Sequence, residues 1–355
     1  MKLIASITIV FHHSIYATNT ESSRIWTGGY MSVAFFFCIS GYLMSRSAFR
    51  AGPCSQSELG RETVKFMLRK IKNILPWYLF AWISSYIILC AYYGFDLRTQ
   101  AKMLGESLFP TLLVYMAGFD GFEVVGAVWY LSAMYLCMPV IYVFLRTKKD
   151  LFVWVAAPLL TLFLYGYIHK AYGGFGIGTI WIGFCYGGVI FAAAGLLCGC
   201  FCFGVSEWLR RQRLTKFSCI LISFLDMGTF IVCLILMQIR PDGAINATMA
   251  FLFAVVVTAS FSGKSYTTNF FNRFCNSALI RKFSIAVYLC HGRVALILTK
   301  YFPDIESYEV RLSLYLVASF LLSVLCVVIV ELVRSCCRER GRMAFYYLFF
   351  EKEKR

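Results

Sequence analysis

Long apolar stretches separated by short polar segments run along almost the whole chain. A membrane-spanning helix needs about 20 predominantly apolar residues. The hydropathy pattern predicts ten such spans, at residues 2–17, 28–48, 74–93, 125–145, 151–168, 179–203, 217–239, 244–261, 283–301 and 311–333. We therefore expect an all-α, polytopic transmembrane helical bundle. Residues 1–333 form the predicted membrane domain and residues 334–355 a basic cytoplasmic tail.

Two connecting segments are long enough to form structure of their own. Residues 49–73 offer an N-cap at Ser57, followed by acidic and then basic residues, which predicts a short amphipathic helix running into the next span. We expect Pro76 to begin a new helix there. The outer segment 94–124 contains a semi-apolar run over residues 103–119, which we interpret as a membrane-dipping or surface helix.

Composition agrees with a membrane protein. The chain has 355 residues, of which 60% are hydrophobic, whereas soluble chains are about 45–50% apolar. With the N-terminus in the cytoplasm, 26 of the 34 Lys and Arg residues fall on the cytoplasmic side and 7 on the outer side. This asymmetry follows the positive-inside rule and places both termini in the cytoplasm. The net charge of +16 therefore indicates contact with anionic lipid headgroups and not with nucleic acid.

The cysteines indicate a reduced state. None of the 15 falls in a predicted outer loop, so we expect free thiols without a disulfide framework. Cys198, Cys200 and Cys202 alternate near one helix end, which is poor spacing for metal ligands. We expect no metal site.

A small set of ionisable residues lies inside the predicted spans. Each costs roughly 2.5–3.5 kcal/mol on insertion scales and is a functional-site candidate. The set comprises His12, His13, Asp226, His291, Arg293 and Glu331.

The histidine pair is the leading candidate for chemistry. An imidazole with an ordinary pKa near 6.5 can accept and return a proton at neutral pH. Because His12 and His13 are about 100° apart on a helix, we expect only one of them to face a given cavity. The alternative is an interfacial histidine hydrogen-bonded to a backbone carbonyl.

The other buried ionisable groups have open alternatives. Asp226 either belongs to a proton relay or substrate site or is a protonated structural acid that bonds across helices, which we favour. His291 and Arg293 either orient a substrate or pair with a partner such as Asp226. We expect Glu331 to pair with a nearby Arg.

Four cations cluster at the cytoplasmic ends of the first and third spans: Lys2, Arg69, Lys70 and Lys72. They are either plain topological anchors or the mouth of a pocket for a polyanion, because Lys and Arg recognise phosphate by charge and by forked hydrogen bonds.

Several short motifs follow one another in a characteristic order. They are Lys2–His13, Gly28–Gly29, Phe36–Tyr42, Arg69–Tyr78, Trp129–Ser132 with Pro139, Ser284–His291, and Glu331. In this order, on a ten-span profile, the chain resembles the acyltransferase-3 family of integral membrane acyltransferases over almost its whole length. It departs from the family pattern at Lys2, where Arg is usual, and at Asn73 and Met134.

The resemblance implies transfer of an acyl group, usually acetyl, from cytoplasmic acyl-CoA to a hydroxyl of a cell-envelope or exported polysaccharide. It implies that His13 is the general base and that the four cytoplasmic cations hold the CoA phosphates. Ser40 and Trp129 lie in family motifs and are candidate substrate-binding or structural polar residues. Asp120 and Glu123, in the outer loop before Trp129, either contact a sugar or belong to an ordinary hydrated loop, which we favour. The expected location is a bacterial plasma membrane.

A second class of function is open on the residues alone. A polytopic transporter or exporter of a small or glycan-related solute would use Asp226, His291 and Arg293 as its pathway.

Overall fold

The computed structural model describes residues 1–20, 24–239, 243–275 and 278–350. It is an all-α bundle, which confirms the predicted class. Its helices are α1 (Lys2–His13), α2 (Ile15–Thr18), α3 (Ser32–Arg50), α4 (Leu59–Tyr93), α5 (Leu97–Glu106), α6 (Leu108–Thr111), α7 (Val128–Thr147), α8 (Lys149–Leu151), α9 (Ala157–Tyr172), α10 (Gly187–Arg211), α11 (Lys216–Gln238), α12 (Gly243–Phe261), α13 (Tyr266–Cys275), α14 (Ala278–Cys290), α15 (Val294–Tyr301) and α16 (Tyr308–Phe350).

Non-helical pieces are few in the part of the chain that is described. Short 3₁₀ turns cover Gly29–Met31, Tyr115–Ala117 and His291–Arg293, and a π turn over Phe152–Ala156 joins α8 to α9. Strands β1 (Trp181–Ile182) and β2 (Cys185–Tyr186) form an antiparallel hairpin with Trp181 opposite Tyr186.

Nine helical segments within the described ranges are long and apolar enough to cross a membrane. They correspond to the second to tenth predicted spans. The first predicted span, 2–17, is instead divided at Ser14 into α1 and α2. The Ser14 hydroxyl donates to the Phe11 carbonyl at 2.7 Å, a local bond that competes with the helical pattern.

Three local predictions were wrong. Pro76 does not begin a helix, because α4 runs unbroken from Leu59 to Tyr93. The guanidinium of Arg334 donates to the Asn73 carbonyl at 3.2 Å, about one turn before the proline. The outer run 103–119 is not one helix, because it divides at Ser107, between α5 and α6, and again at Leu113, which adopts a φ of 63°.

The third wrong prediction is the first residue of the sixth predicted span. We predicted 179, but α10 begins at Gly187. Residues before it form the hairpin, so Cys185 lies outside the helix. In the predicted tail, α16 continues to Phe350, and residues 351–355 lie outside the described residues.

Helices α3 and α10 pack with their backbones in direct contact. A Cβ placed on Gly41 would lie 2.0 Å from the Leu196 carbonyl oxygen, and one on Gly199 would lie 2.0 Å from that of Cys38. Helices in membranes associate through such small residues, which let backbones approach closely. The contact sets the position of α3, whose outer end lies beside α1 and whose inner end is rich in arginine.

Gly199→Ala should destabilise the protein by about 1–3 kcal/mol, because the added methyl forces two backbones apart. The expected result is a lower midpoint of thermal unfolding in detergent. Gly228→Ala in α11 is the matched control, since its Cβ meets nothing within 4 Å. Equal midpoints for the two variants would contradict the assigned packing.

Candidate active site

A cavity of about 1030 Å³ opens among the helix ends on the predicted outer side. The outer ends of α1, α4 and α7, the loops around residues 121–127 and 175–179, and the 3₁₀ turn at His291–Arg293 surround it. Three of the four histidines line it: His12, His13 and His291. Trp129, Glu123 and Arg293 also line it, so the cavity offers proton acceptors, an aromatic surface and both signs of charge.

Two of the three imidazoles are held by backbone carbonyls. His12 Nδ1 lies 2.7 Å from the Thr27 carbonyl oxygen, and His291 Nδ1 lies 2.9 Å from that of Val287. A carbonyl only accepts, so Nδ1 carries the hydrogen in each ring. In the neutral imidazole, Nε2 is then an acceptor.

His13 lies between the other two rings. Its centroid is 5.1 Å from that of His12 and 5.3 Å from that of His291, and Tyr16 stacks on it at 5.8 Å. Within the described ranges, none of the hydrogen bonds involves the His13 ring, whereas both neighbours are fixed. The three imidazoles therefore form one contiguous group.

The expectation that only one of His12 and His13 faces the cavity was wrong. The two side chains do point in different directions, but the cavity surrounds the end of α1. Gly29 allows this, because its missing side chain lets the 29–31 turn lie against α1: a Cβ there would be 2.1 Å from the Thr8 carbonyl oxygen.

Trp129 lies in the cavity wall against two glycines. A Cβ on Gly178 would lie 3.0 Å from the indole, and one on Gly188 would lie 3.1 Å from it. Ser40, from the neighbouring family motif, is not among the cavity-lining residues. Ser40 lies beside the Tyr130 hydroxyl, behind the residues that line the cavity.

Arg293 holds the outer loop. Its Nε donates to the Val124 carbonyl at 2.9 Å, and its Nη2 donates to the Glu123 carbonyl. Glu123 also lines the cavity, and burial raises the pKa of its carboxyl above the ordinary range, although the Tyr115 hydroxyl and Arg293 oppose the shift. The half-buried position of Glu123 depends on folding of the loop, so the sequence identifies it only as an outer-loop acid that could contact a sugar.

Asp226 lies elsewhere, as a fully buried acid among hydroxyls. Ser265 donates to it at 2.6 Å, and Ser260 and Thr268 donate as well. These partners tie α11 to α12 and to the start of α13, so Asp226 bonds across helices and is not the partner of Arg293. Glu331 pairs with Lys282 at 2.5 Å and with Arg334 at 3.4 Å.

The predicted cation cluster is divided in two. Lys2 is close enough to Lys70 and Arg281 for electrostatic repulsion. Arg69 projects from another face of α4 and lines a separate cavity with Arg46 and Arg50. Lys72 is exposed. Adjacent residues on a helix point about 100° apart, which separates Arg69 from Lys70.

Three thiols meet where α3 and α10 pack. The sulfurs of Cys38, Cys198 and Cys202 lie within 4.8 Å of one another, and those of Cys38 and Cys202 are 3.8 Å apart. The sequence analysis considered only the alternating run on α10, because Cys38 comes from a distant segment. All fourteen cysteines with described side chains are free.

Glu123→Gln should raise thermal stability at neutral and alkaline pH. A carboxyl whose pKa is raised in the folded state binds its proton more tightly there, so its ionisation lowers stability as pH rises. Gln stays neutral, and the gain should vanish as pH falls towards the ordinary Glu pKa of about 4.3. Unfolding midpoints at about pH 4 and about pH 8 test this.

Glu106→Gln is the control for that comparison, because Glu106 is exposed. A gain for Glu123→Gln that is the same at both pH values, or matched by the control, would contradict the buried-carboxyl assignment.

Comparison with known proteins assigns the chain to a family. The chain matches the model of the acyltransferase-3 family, described as an acyltransferase domain, over residues 1–332. No curated protein and no solved structure matches it. The match confirms the resemblance seen in the ordered motifs and covers nearly all of the 355 residues. The chain therefore belongs to the acyltransferase-3 family and is a multi-pass membrane acyltransferase.

Proposed function

We propose that the protein is an O-acyltransferase of a bacterial plasma membrane that moves an acetyl group from cytoplasmic acetyl-CoA to a hydroxyl of a cell-envelope or exported polysaccharide. The observation that carries the proposal is the joint position of His12, His13 and His291 on a cavity at the outer side of the bundle. The family match supports acyl transfer as the reaction class.

His13 is the proposed general base. Its imidazole takes the proton of the acceptor hydroxyl while that oxygen attacks the thioester carbonyl. The carbon–sulfur bond then breaks, and the proton passes from the imidazolium to the departing CoA thiolate. Base catalysis of this kind contributes typically 10²–10⁴-fold.

The neighbouring groups suit this role. His12 and His291 are fixed by backbone carbonyls on either side of His13, so the base is held in a narrow space between them. Trp129 offers an aromatic face and Glu123 a hydrogen-bonding group to a polyhydroxylated acceptor at the same cavity. Both contacts suit a sugar better than an apolar substrate.

The donor approaches from the other end of the bundle. Lys2 and His13 lie at opposite ends of α1. They are eleven residues apart, which is about 16 Å along the helix axis. Cations at the cytoplasmic ends of α1, α3 and α4 attract the anionic CoA, and the thioester extends from there towards the histidines.

The transporter alternative receives less support. It needs Asp226, His291 and Arg293 on one pathway, but Asp226 is surrounded by hydroxyl donors and does not line the cavity that contains the other two. Membranes supplied with acetyl-labelled acetyl-CoA distinguish the classes, since a transporter gives flux without acetylated product.

His13→Ala should lower acetyl transfer by about 10²–10⁴-fold while leaving the protein in the membrane. The assay is label transfer from acetyl-CoA to glycan in membranes containing equal amounts of protein. His169→Ala is the control, because His169 is exposed on α9 and away from the cavity. A fully active His13→Ala protein would refute the assignment of the base.

A further inference from the structure

Two adjoining cavities lie at the inner ends of α3 and α10. The first, of about 460 Å³, is lined by Arg46, Ser47, Arg50 and Arg69 among others. The second, of about 360 Å³, extends between α3 and α10 to the π turn that follows α8. Arg46 and Arg50 line both and therefore stand between the two cavities, which we together call the arginine pocket.

The cations of the arginine pocket are available for a ligand. Within the described ranges, Arg46, Arg50 and Arg69 take part in none of the ion pairs and hydrogen bonds, and Arg46 Nε is a buried donor without an acceptor. By contrast, Nη2 of the nearby Arg146 donates to Glu62 at 2.9 Å, and Arg210 pairs with Glu207 at 2.5 Å. A buried donor left without an acceptor costs about 1–3 kcal/mol, which a bound anion would relieve.

The second cavity has a different character. Its wall is aromatic, with Trp154, Phe203 and Trp208, and Gly204 lets Trp154 lie close to α10 because a Cβ there would be 3.3 Å from the indole. Two carboxylates, Asp150 and Glu207, line it as well, together with Arg211 and with Arg210, which pairs with Glu207. Carboxylates repel phosphate but accept hydrogen bonds from an amino group, so this half suits a flat, amino-bearing ring.

We propose that the arginine pocket binds the phosphorylated nucleotide end of acyl-CoA, with the phosphates on Arg46, Arg50 and Arg69 and the adenine in the aromatic half. This deepens the proposed function and rests on it. Arg binds phosphate through paired hydrogen bonds, and an aromatic side chain stacks on a base. Residues Arg46, Arg50 and Trp154 are absent from the sequence-based candidates.

The position of the pocket requires a long ligand. Ser32 begins α3, and its hydroxyl lies 2.7 Å from that of Thr8 on α1, near the histidines. Arg46 is fourteen residues farther along α3, a rise of about 21 Å. Acyl-CoA has this architecture, because a flexible arm separates its nucleotide from the thioester.

A lipid headgroup also carries phosphate, and Trp and Arg are frequent at membrane interfaces. A phospholipid headgroup does not require an aromatic cavity with carboxylates behind the arginines. The two sources of phosphate are separable by experiment.

Binding of 3′,5′-ADP to the purified full-length protein in phosphatidylcholine nanodiscs tests the proposal by calorimetry. Arg46→Gln and Arg50→Gln should each weaken binding about tenfold or more, since each removes a charge-assisted contact. Arg61→Gln, an exposed arginine of α4 outside the pocket, is the matched control and should bind as wild type. Trp154→Leu should weaken binding of 3′,5′-ADP but not of pyrophosphate.

Arg50 is exposed, so its variant tests the pocket even if Arg46→Gln fails to fold. Binding of 3′,5′-ADP equal to that of Arg61→Gln in both variants would overturn the proposal. So would wild-type protein that binds no 3′,5′-ADP in phosphatidylcholine but retains phosphatidylglycerol, which identifies a lipid site.

The acetyl-transfer assay separates this inference from the function on which it rests. Normal transfer with an unchanged KM for acetyl-CoA in Arg46→Gln and Arg50→Gln overturns the pocket and leaves the function intact. Arginine-dependent binding of 3′,5′-ADP in a protein that transfers no acetyl group supports the pocket and overturns the function.

Discussion

The contact between α3 and α10 is the constraint on which the rest of the structure depends. At Gly41 and Gly199 each helix presents bare backbone to the other, and any side chain there would overlap a carbonyl oxygen. In a bilayer there is no hydrophobic drive between helices, so such close van der Waals packing holds them together. The fixed helix α3 supports the turn beside His12 at one end and carries Arg46 and Arg50 at the other.

Sequence analysis predicted the class of fold, nine of the spanning segments and the family, because these depend on hydropathy and on motifs read in order. It also singled out His12, His13, His291, Arg293 and Trp129, all of which line one cavity. Buried ionisable residues stand out in an apolar sequence since each is costly there.

Other features could not be read from the sequence, because they depend on which residues from distant segments meet. Cys38 joins Cys198 and Cys202 only through helix packing. In the sequence, Arg46 and Arg50 are indistinguishable from basic residues that only set the topology. The structure adds that both line the arginine pocket. The sequence predicts one group of Lys2, Arg69, Lys70 and Lys72, but the rotation along α4 directs Arg69 and Lys70 to different neighbours.

The unbroken course of α4 through Pro76 has a consequence for the proposed binding of acyl-CoA. The helix is 35 residues long, about 52 Å, so it extends well beyond a hydrocarbon layer of about 30 Å. Arg69 and Lys70 therefore lie on a continuous helix and not on a connecting loop. Side chains carried on a helix lose less conformational entropy on binding an anion than side chains on a flexible loop. This smaller entropy cost raises the affinity for the anion.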